Sequence, residues 1–140
     1  MDVSETYIKM CQKATEIQVG LWNGGDFTWL PGDDMVRIVV KPSTAVHEQD
    51  AVVWLETICD LNDLDAVWLP RQDQLQGLVD GDVYNQTYDI FDFASGAYFD
   101  DQFDGNEPGK VFPSWEQMWL RFVMREKFSK TWNGEDWVAD

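Results

Sequence analysis

The sequence predicts a single α+β domain in which an N-terminal helix and a long C-terminal helix pack on a small antiparallel sheet. Apolar residues recur at three- and four-residue steps near both ends of the chain, as in amphipathic helices. Between these ends, residues 26–40 show a strand–turn–strand pattern. The chain has 140 residues, 44% of them apolar, which suits one domain (1–140) with a sizeable core.

Residues 3–19 are predicted to form the N-terminal helix. Asp2 and Glu5 have the spacing of a capping box, with Asp in place of the usual Ser or Thr. Gly20 is the predicted stop. The predicted apolar stripe consists of Tyr7, Met10, Cys11, Ala14 and Ile17.

The sheet is predicted from residues 26–30 and 35–40, which read DFTWL and MVRIVV. The Pro-Gly-Asp-Asp sequence at 31–34 is typical of the turn between two strands. Residues 66–69 read AVWL and predict a further short strand. Residues 41–50 are predicted to be a loop.

Three later segments give weaker signals. Residues 51–61 fit both a helix stripe and a buried strand, with helix preferred. Residues 70–79 predict a short helix because proline suits a first helical turn. Residues 80–110 predict a loop with one irregular strand around 88–93. The inward residues of the short helix are predicted to be Leu75, Leu78 and Val79.

The C-terminal helix is predicted to begin at Ser114, which forms a capping box with Gln117. Asn133-Gly134 is its predicted end, with Trp132 and Trp137 capping it. Its predicted inner stripe consists of Trp115, Met118, Trp119, Phe122 and Val123.

Charge is concentrated in the middle of the chain. Residues 42–109 contain fifteen Asp and Glu and one base, Arg71, which gives this segment −14 of the total formal charge of −16. Such a segment repels nucleic acid and anionic membranes and attracts a basic surface or a cation. We therefore expect a basic protein surface as partner, and neither direct nucleic-acid binding nor membrane binding.

Cysteine usage and the N-terminus favour an intracellular protein. Cys11 and Cys59 are the two cysteines, too few for the disulfide framework of a small secreted domain. The opening residues MDVSETYIK have neither the basic nor the apolar region of a signal peptide. No apolar run approaches the 18 residues typical of a membrane span.

Three stretches carry a resemblance to a known family. They are YIKMCQKATEIQ at 7–18, WLPRQDQLQ at 68–76 and SWEQMWLRFVMREKFSKTWNGEDW at 114–137, together about a third of the chain. They resemble a family of small uncharacterised proteins of Firmicutes phages and prophages. The resemblance implies a phage accessory role in the cytoplasm of the host cell, and it assigns no role to individual residues.

The segment 80–107 is the predicted partner-binding region because it interleaves aromatic and acidic residues. Aromatic side chains supply contact energy in interfaces, and carboxylates supply steering and specificity. In the alternative interpretation, the aromatics face the core and the acids form a solvated surface. The predicted binding residues are Asp80, Asp82, Tyr84, Tyr88, Asp89, Asp92, Tyr98, Asp100, Asp101, Asp104 and Glu107.

A second candidate site is the helix start within the motif WLPRQDQLQ. One interpretation makes it a recognition edge. In the other, Arg71 forms an ion pair with neighbouring acids and organises the fold. The residues concerned are Arg71, Gln72, Asp73 and Gln76.

These features predict a non-enzymatic protein that binds a basic partner. A sharper hypothesis is mimicry of nucleic acid to inhibit a host defence nuclease, because fourteen charges match about 24 Å of duplex DNA. Phage proteins that block nucleases often act in this way. The sequence lacks a P-loop, a dinucleotide-binding glycine pattern and an HExxH motif, so no catalytic residue, metal ligand or cofactor is predicted.

Two alternatives stay open. One is a small-ligand or divalent-metal-binding domain, or an unrecognised hydrolase, with a pocket lined by Trp and Asp. Residues 100–111 fail as an EF-hand because Gln102 and Val111 occupy ligand positions, and His47, the single histidine, is expected on a surface loop. The other alternative is a structural or replication accessory protein of a phage.

Overall fold

The computed structural model of the protein describes residues 1–18, 25–32, 35–38, 65–99 and 114–140. Its helices are α1 (Glu5–Lys13), α2 (Gln72–Gln76), α3 (Val83–Phe99) and α4 (Trp115–Phe128). Its strands are β1 (Phe27–Leu30), β2 (Met35–Ile38), β3 (Val67–Leu69), β4 (Lys130–Trp132) and β5 (Trp137–Ala139). The α+β prediction is confirmed, with a helix near the N-terminus and a long one near the C-terminus.

These elements group into two compact units, Val3–Pro70 and Met1–Asp2 with Arg71–Asp140. The single domain stays a prediction. No helix in the part of the chain described above is long and apolar enough to cross a membrane.

Helix α1 is shorter than predicted and begins with a different cap. The Ser4 hydroxyl accepts a hydrogen bond from the Tyr7 amide at 3.2 Å, so Ser4 is the N-cap and the prediction of Asp2 is wrong. The helix ends at Lys13, and a short 3-10 turn follows at Thr15–Ile17. The predicted stripe is confirmed as buried, whereas Gly20 lies outside the described residues.

Within its described residues, the first unit has three antiparallel strands in the sheet order β2-β1-β3. Thr28 lies opposite Arg37 on one side and Trp68 on the other. The strands predicted from 26–30, 35–40 and 66–69 are confirmed within the described residues. The predictions for 41–50 and 51–61 fall outside them.

Gln18 covers the outer edge of β3 with its side-chain amide. The Trp68 amide donates to Gln18 Oε1 at 2.8 Å, and Gln18 Nε2 donates to the Trp68 carbonyl at 3.1 Å. Nε2 also donates to the Cys11 carbonyl at 3.0 Å, which ties the strand edge to α1. An uncovered strand edge is a template for pairing with another chain, so Gln18 both joins two elements and blocks that pairing.

In the second unit, Ser114 is the N-cap of α4 as predicted, and its hydroxyl accepts from the Gln117 backbone amide at 3.1 Å. The predicted capping box is only half formed, because the Gln117 side chain bonds Asp2 and not the Ser114 backbone. Asp2 also serves this helix start, because its Oδ2 accepts from Gln117 Nε2 at 2.8 Å and from the Ser114 hydroxyl. The prediction that Trp115 faces inward is wrong: it is 62% exposed. Gln117 is buried in the first turn. Its side-chain amide can be buried because it donates to Asp2.

Helix α4 ends at Phe128, and Ser129 follows in the left-handed conformation, with φ 52° and ψ 46°. The predicted end at 133–134 is wrong because those residues form the turn between β4 and β5. Asn-Gly is also a strong hairpin signal, and in this chain it forms part of a hairpin turn. Trp132 and Trp137 lie opposite each other across the hairpin, with ring centroids 5.1 Å apart, and do not cap the helix.

The loop predicted over 80–110 is wrong for 83–99, which form α3. Asp82 Oδ1 accepts from the Asn85 amide at 2.9 Å and caps the helix. Helix α3 is stabilised by packing against α4, and local sequence signals do not reveal this tertiary contact. Helix α2 falls within the predicted 70–79 segment. Of its three predicted inward residues Leu75 is buried, and Leu78 and Val79 are half-buried.

We predict that Gln18→Ala destabilises the protein by about 1–3 kcal/mol, because it leaves the partly buried backbone groups of Trp68 without their side-chain partner. Equilibrium urea unfolding measures the change. Gln12→Ala, at an exposed position of α1, is the matched control and should change stability by less than about 0.5 kcal/mol. Equal effects of the two substitutions would contradict the edge-covering role.

We predict that Ser129→Gly stabilises the protein by about 1 kcal/mol, since glycine adopts the left-handed conformation without the steric cost of a Cβ atom. The backbone bonds from Ser129 to Arg125 and from Asp140 to Ser129 are unaffected by this change. Ser129→Ala retains the Cβ atom and should give no stabilisation. Thermal unfolding of both variants tests the prediction, and equal melting temperatures would refute it.

Candidate functional site

Helix α3 has an inner face that anchors it within its unit. Gln86 Nε2 lies within hydrogen-bond distance of three backbone carbonyls, those of Gln76 at 3.3 Å, Val79 at 3.0 Å and Gly81 at 3.2 Å. These bonds tie the first turn of α3 to the segment that precedes it. Ile90, one turn further along the same face, is buried.

The inner face continues onto α4 through aromatic contacts. The ring centroid of Phe93 lies 5.5 Å from that of Phe122, in an edge-to-face arrangement that aromatic pairs prefer. The Arg125 guanidinium lies over the Phe93 ring at 5.7 Å from its centroid, close enough for a cation–π interaction. The rotation of α3 about its own axis is therefore set by contacts with α4.

The outer face of α3 carries a row of exposed aromatic side chains at helical spacing. We call Tyr84, Tyr88 and Phe91 the aromatic stripe; their exposed fractions are 68%, 57% and 68%. The Tyr84 and Tyr88 rings meet edge to face with centroids 4.8 Å apart, and the Tyr84 hydroxyl donates to that of Tyr88 at 3.2 Å. This hydrogen bond raises the pKa of Tyr84 above its usual value.

Asp89 and Asp92 form an acidic flank between the aromatic stripe and α4. Both are exposed. They also line an open cleft of about 360 Å³ between α3 and α4, which we call the α3–α4 cleft. Its lining residues are Asp89, Asp92, Phe93, Phe122, Arg125 and Glu126.

The structure brings four of the predicted partner-binding residues together on α3: Tyr84, Tyr88, Asp89 and Asp92. Asp80 and Asp82 are exposed just before the helix, where Asp82 acts as its cap. Tyr98 belongs to the last turn of α3. The remaining predicted residues, Asp100, Asp101, Asp104 and Glu107, lie outside the described residues.

Sequence reasoning missed three residues of this surface. Phe91 follows Tyr88 by three positions, a spacing that makes them neighbours only on a helix, and the sequence predicts a loop for this segment. Arg125 and Glu126 reach the cleft from α4, and no local sequence signal could have joined them to Asp89 and Asp92.

The second candidate site forms a local ion pair at the start of α2. Arg71 Nε and a terminal guanidinium nitrogen donate to the two carboxylate oxygens of Asp73 at 3.0 and 3.2 Å. The hydrogen bond from Arg71 holds the pKa of Asp73 below its usual value. Gln72 and Gln76 are half-buried nearby. This geometry agrees with the interpretation in which Arg71 pairs with a neighbouring acid; the recognition edge stays a prediction.

Among the residues that the structure describes, no group of three or more His, Cys, Asp or Glu is placed to bind a metal ion. Comparison of the chain with protein-family models, with curated proteins and with solved structures finds no match in any of the three. The proposed function therefore rests on the geometry of α3 and α4.

We predict that Phe91→Ala and Phe93→Ala, two residues apart on α3, have very different effects on stability. Phe93→Ala should cost about 2–4 kcal/mol because it removes the contacts with Phe122 and Arg125. Phe91→Ala should stay within about 0.5 kcal/mol of the unsubstituted protein because the side chain is exposed. Urea unfolding measures both. A large loss for Phe91→Ala would assign the aromatic stripe to the core and remove it as a candidate surface.

Proposed function

We propose that the protein is a non-enzymatic phage or prophage accessory protein that binds a basic partner protein through the outer face of α3. The observation that carries the proposal is the exposure of the aromatic stripe directly beside Asp89 and Asp92. Aromatic rings bury large areas in interfaces and dominate their energetics. Their exposure on a helix whose other face is already packed supports a role in binding.

Electrostatics supports a basic partner in particular. The segment 42–109 has a formal charge of −14, which raises the rate of encounter with a positively charged surface. Within this segment, the acidic flank lies next to the aromatic stripe. Charge thus supports encounter and orientation, and the stripe supports retention after contact.

The partner class that this charge favours is a nucleic-acid-binding protein, with a host defence nuclease in the host-cell cytoplasm as the sharpest form of the proposal. A cleft built for nucleic acid is basic because it must neutralise phosphates. Asp82, Asp89 and Asp92 spread along about 15 Å of helix, a length that such a cleft can accommodate. The resemblance to phage proteins supports the same context.

Capture from a Firmicute host lysate tests the proposal. We expect a basic partner that is retained at about 0.05 M salt and largely lost at about 0.3 M, where charges are more strongly screened. The double variant Asp89→Asn with Asp92→Asn should reduce recovery about tenfold. Glu135→Gln with Asp140→Asn removes the same charge from exposed positions near the C-terminus and should leave recovery unchanged.

Quantitative mass spectrometry of the bound fraction gives the measurement. Recovery of no salt-sensitive basic protein would contradict the proposal. Equal losses for the two double variants would show that net charge alone governs capture and that α3 is not the binding face.

A further inference from the structure

We infer that the aromatic stripe and the α3–α4 cleft form one docking surface for a basic amphipathic helix of the partner protein. This inference rests on the proposed function and names the element of the partner that the surface takes. Three features of the surface support it: the spacing of the stripe, the one-sided charge beside it, and the lining of the cleft.

The spacing of the stripe matches the packing of one helix on another. Tyr84, Tyr88 and Phe91 stand at positions i, i+4 and i+7, so they form a ridge along about 10 Å of α3. Such ridges fit the grooves between side chains of a facing helix. An apolar row at the same spacing is the means by which amphipathic helices dock on their receptors.

Among the residues of α3, the charge beside the stripe is on one side only. Asp89 and Asp92 lie on the side toward α4, whereas Val83 and Thr87 lie on the other side, and the Thr87 hydroxyl is engaged with the Val83 carbonyl at 2.6 Å. A helix that fits this surface therefore needs basic residues along one flank of its apolar row. The opposite flank needs no charge.

The cleft provides a place for one long basic side chain. Its lining combines two phenyl rings with three carboxylates and a single guanidinium. Lys and Arg place their apolar stems on such surfaces and keep the charged end near carboxylates. Arg125 already lies over Phe93, which shows that these rings accept a guanidinium. Among the described residues that line the cleft, the carboxylates of Asp89, Asp92 and Glu126 outnumber the Arg125 guanidinium.

A second copy of this chain fits the surface poorly. Stripe-to-stripe pairing would bring the acidic flanks of both copies into the same interface. Each copy carries a net formal charge of −16, and like charges in an interface oppose association. Charge complementarity thus favours a basic helix over self-association.

Selection from a library of helix-forming peptides of about 20 residues, long enough to be helical in isolation, tests the inference. We expect the selected peptides to share apolar residues at i, i+4 and i+7 with Lys or Arg on one flank. Fluorescence anisotropy with a labelled selected peptide then gives affinities. Phe91→Ala should weaken binding about tenfold, and Asp92→Asn about threefold.

Two control substitutions make the same kinds of change outside α3: one truncates an apolar side chain and the other removes one carboxylate. Val138→Ala truncates an apolar side chain that is 41% exposed on β5, and Glu135→Gln removes an exposed acid in the turn before β5. Neither should change the affinity. Circular dichroism of all variants should show unchanged helix content, because each substituted side chain is exposed.

Three results would overturn the inference. Recognition by charge alone would be shown by selected peptides that lack the apolar row or that bind equally well after scrambling. In that case, capture from lysate that depends on Asp89 and Asp92 would still support the proposed function. Equal affinities for the Phe91→Ala and Val138→Ala variants would place the docking surface elsewhere. A dimer in sedimentation analysis that Phe91→Ala dissociates would make a second copy the occupant.

Discussion

The burial of α4 is the constraint on which its unit depends. Along residues 117–124 of this helix every residue except half-buried Arg121 is buried. Helices α2 and α3 and strand β4 each contact α4, and each therefore has one side already occupied. The helix start is held by two polar groups, Ser114 and Asp2, that satisfy backbone and side-chain donors which would otherwise be costly to bury.

For α3, this constraint separates the aromatic residues into two groups with different roles. Phe93 contributes to the fold because it packs on Phe122, whereas Tyr84, Tyr88 and Phe91 lie on the side turned away from α4. Because more than half of each of these rings is exposed, they gain only a small part of the roughly 25 cal/mol per Å² that burial provides. They therefore add little to folding stability, and their clustering in one row supports the proposed contact with another molecule.

Local chemistry was enough to predict the strands at 26–40 and 66–69 and the start of α4. In each case, turn residues or a capping residue lie beside a clear apolar pattern. Prediction failed where one signal has two structural uses. Asn133-Gly134 is typical both of a helix end and of a hairpin. The interleaved acids and aromatics of α3 are typical of a loop, and the helix is stabilised by its packing against α4, which no local pattern shows. Asp2 and Ser114 are 112 residues apart, so no local pattern could have joined them.

The division of α3 into a stripe and an acidic flank also affects how binding should respond to salt. Exposed carboxylates act over about 8–10 Å at moderate salt and mainly change the rate of encounter. The proposed contacts of Phe91 and the tyrosine pair with a partner would be insensitive to salt and would mainly change the rate of dissociation. A partner held by this surface should therefore bind more slowly as salt rises, while its rate of dissociation changes little. A nucleic-acid mimic that acts through charge alone would lack these salt-insensitive aromatic contacts.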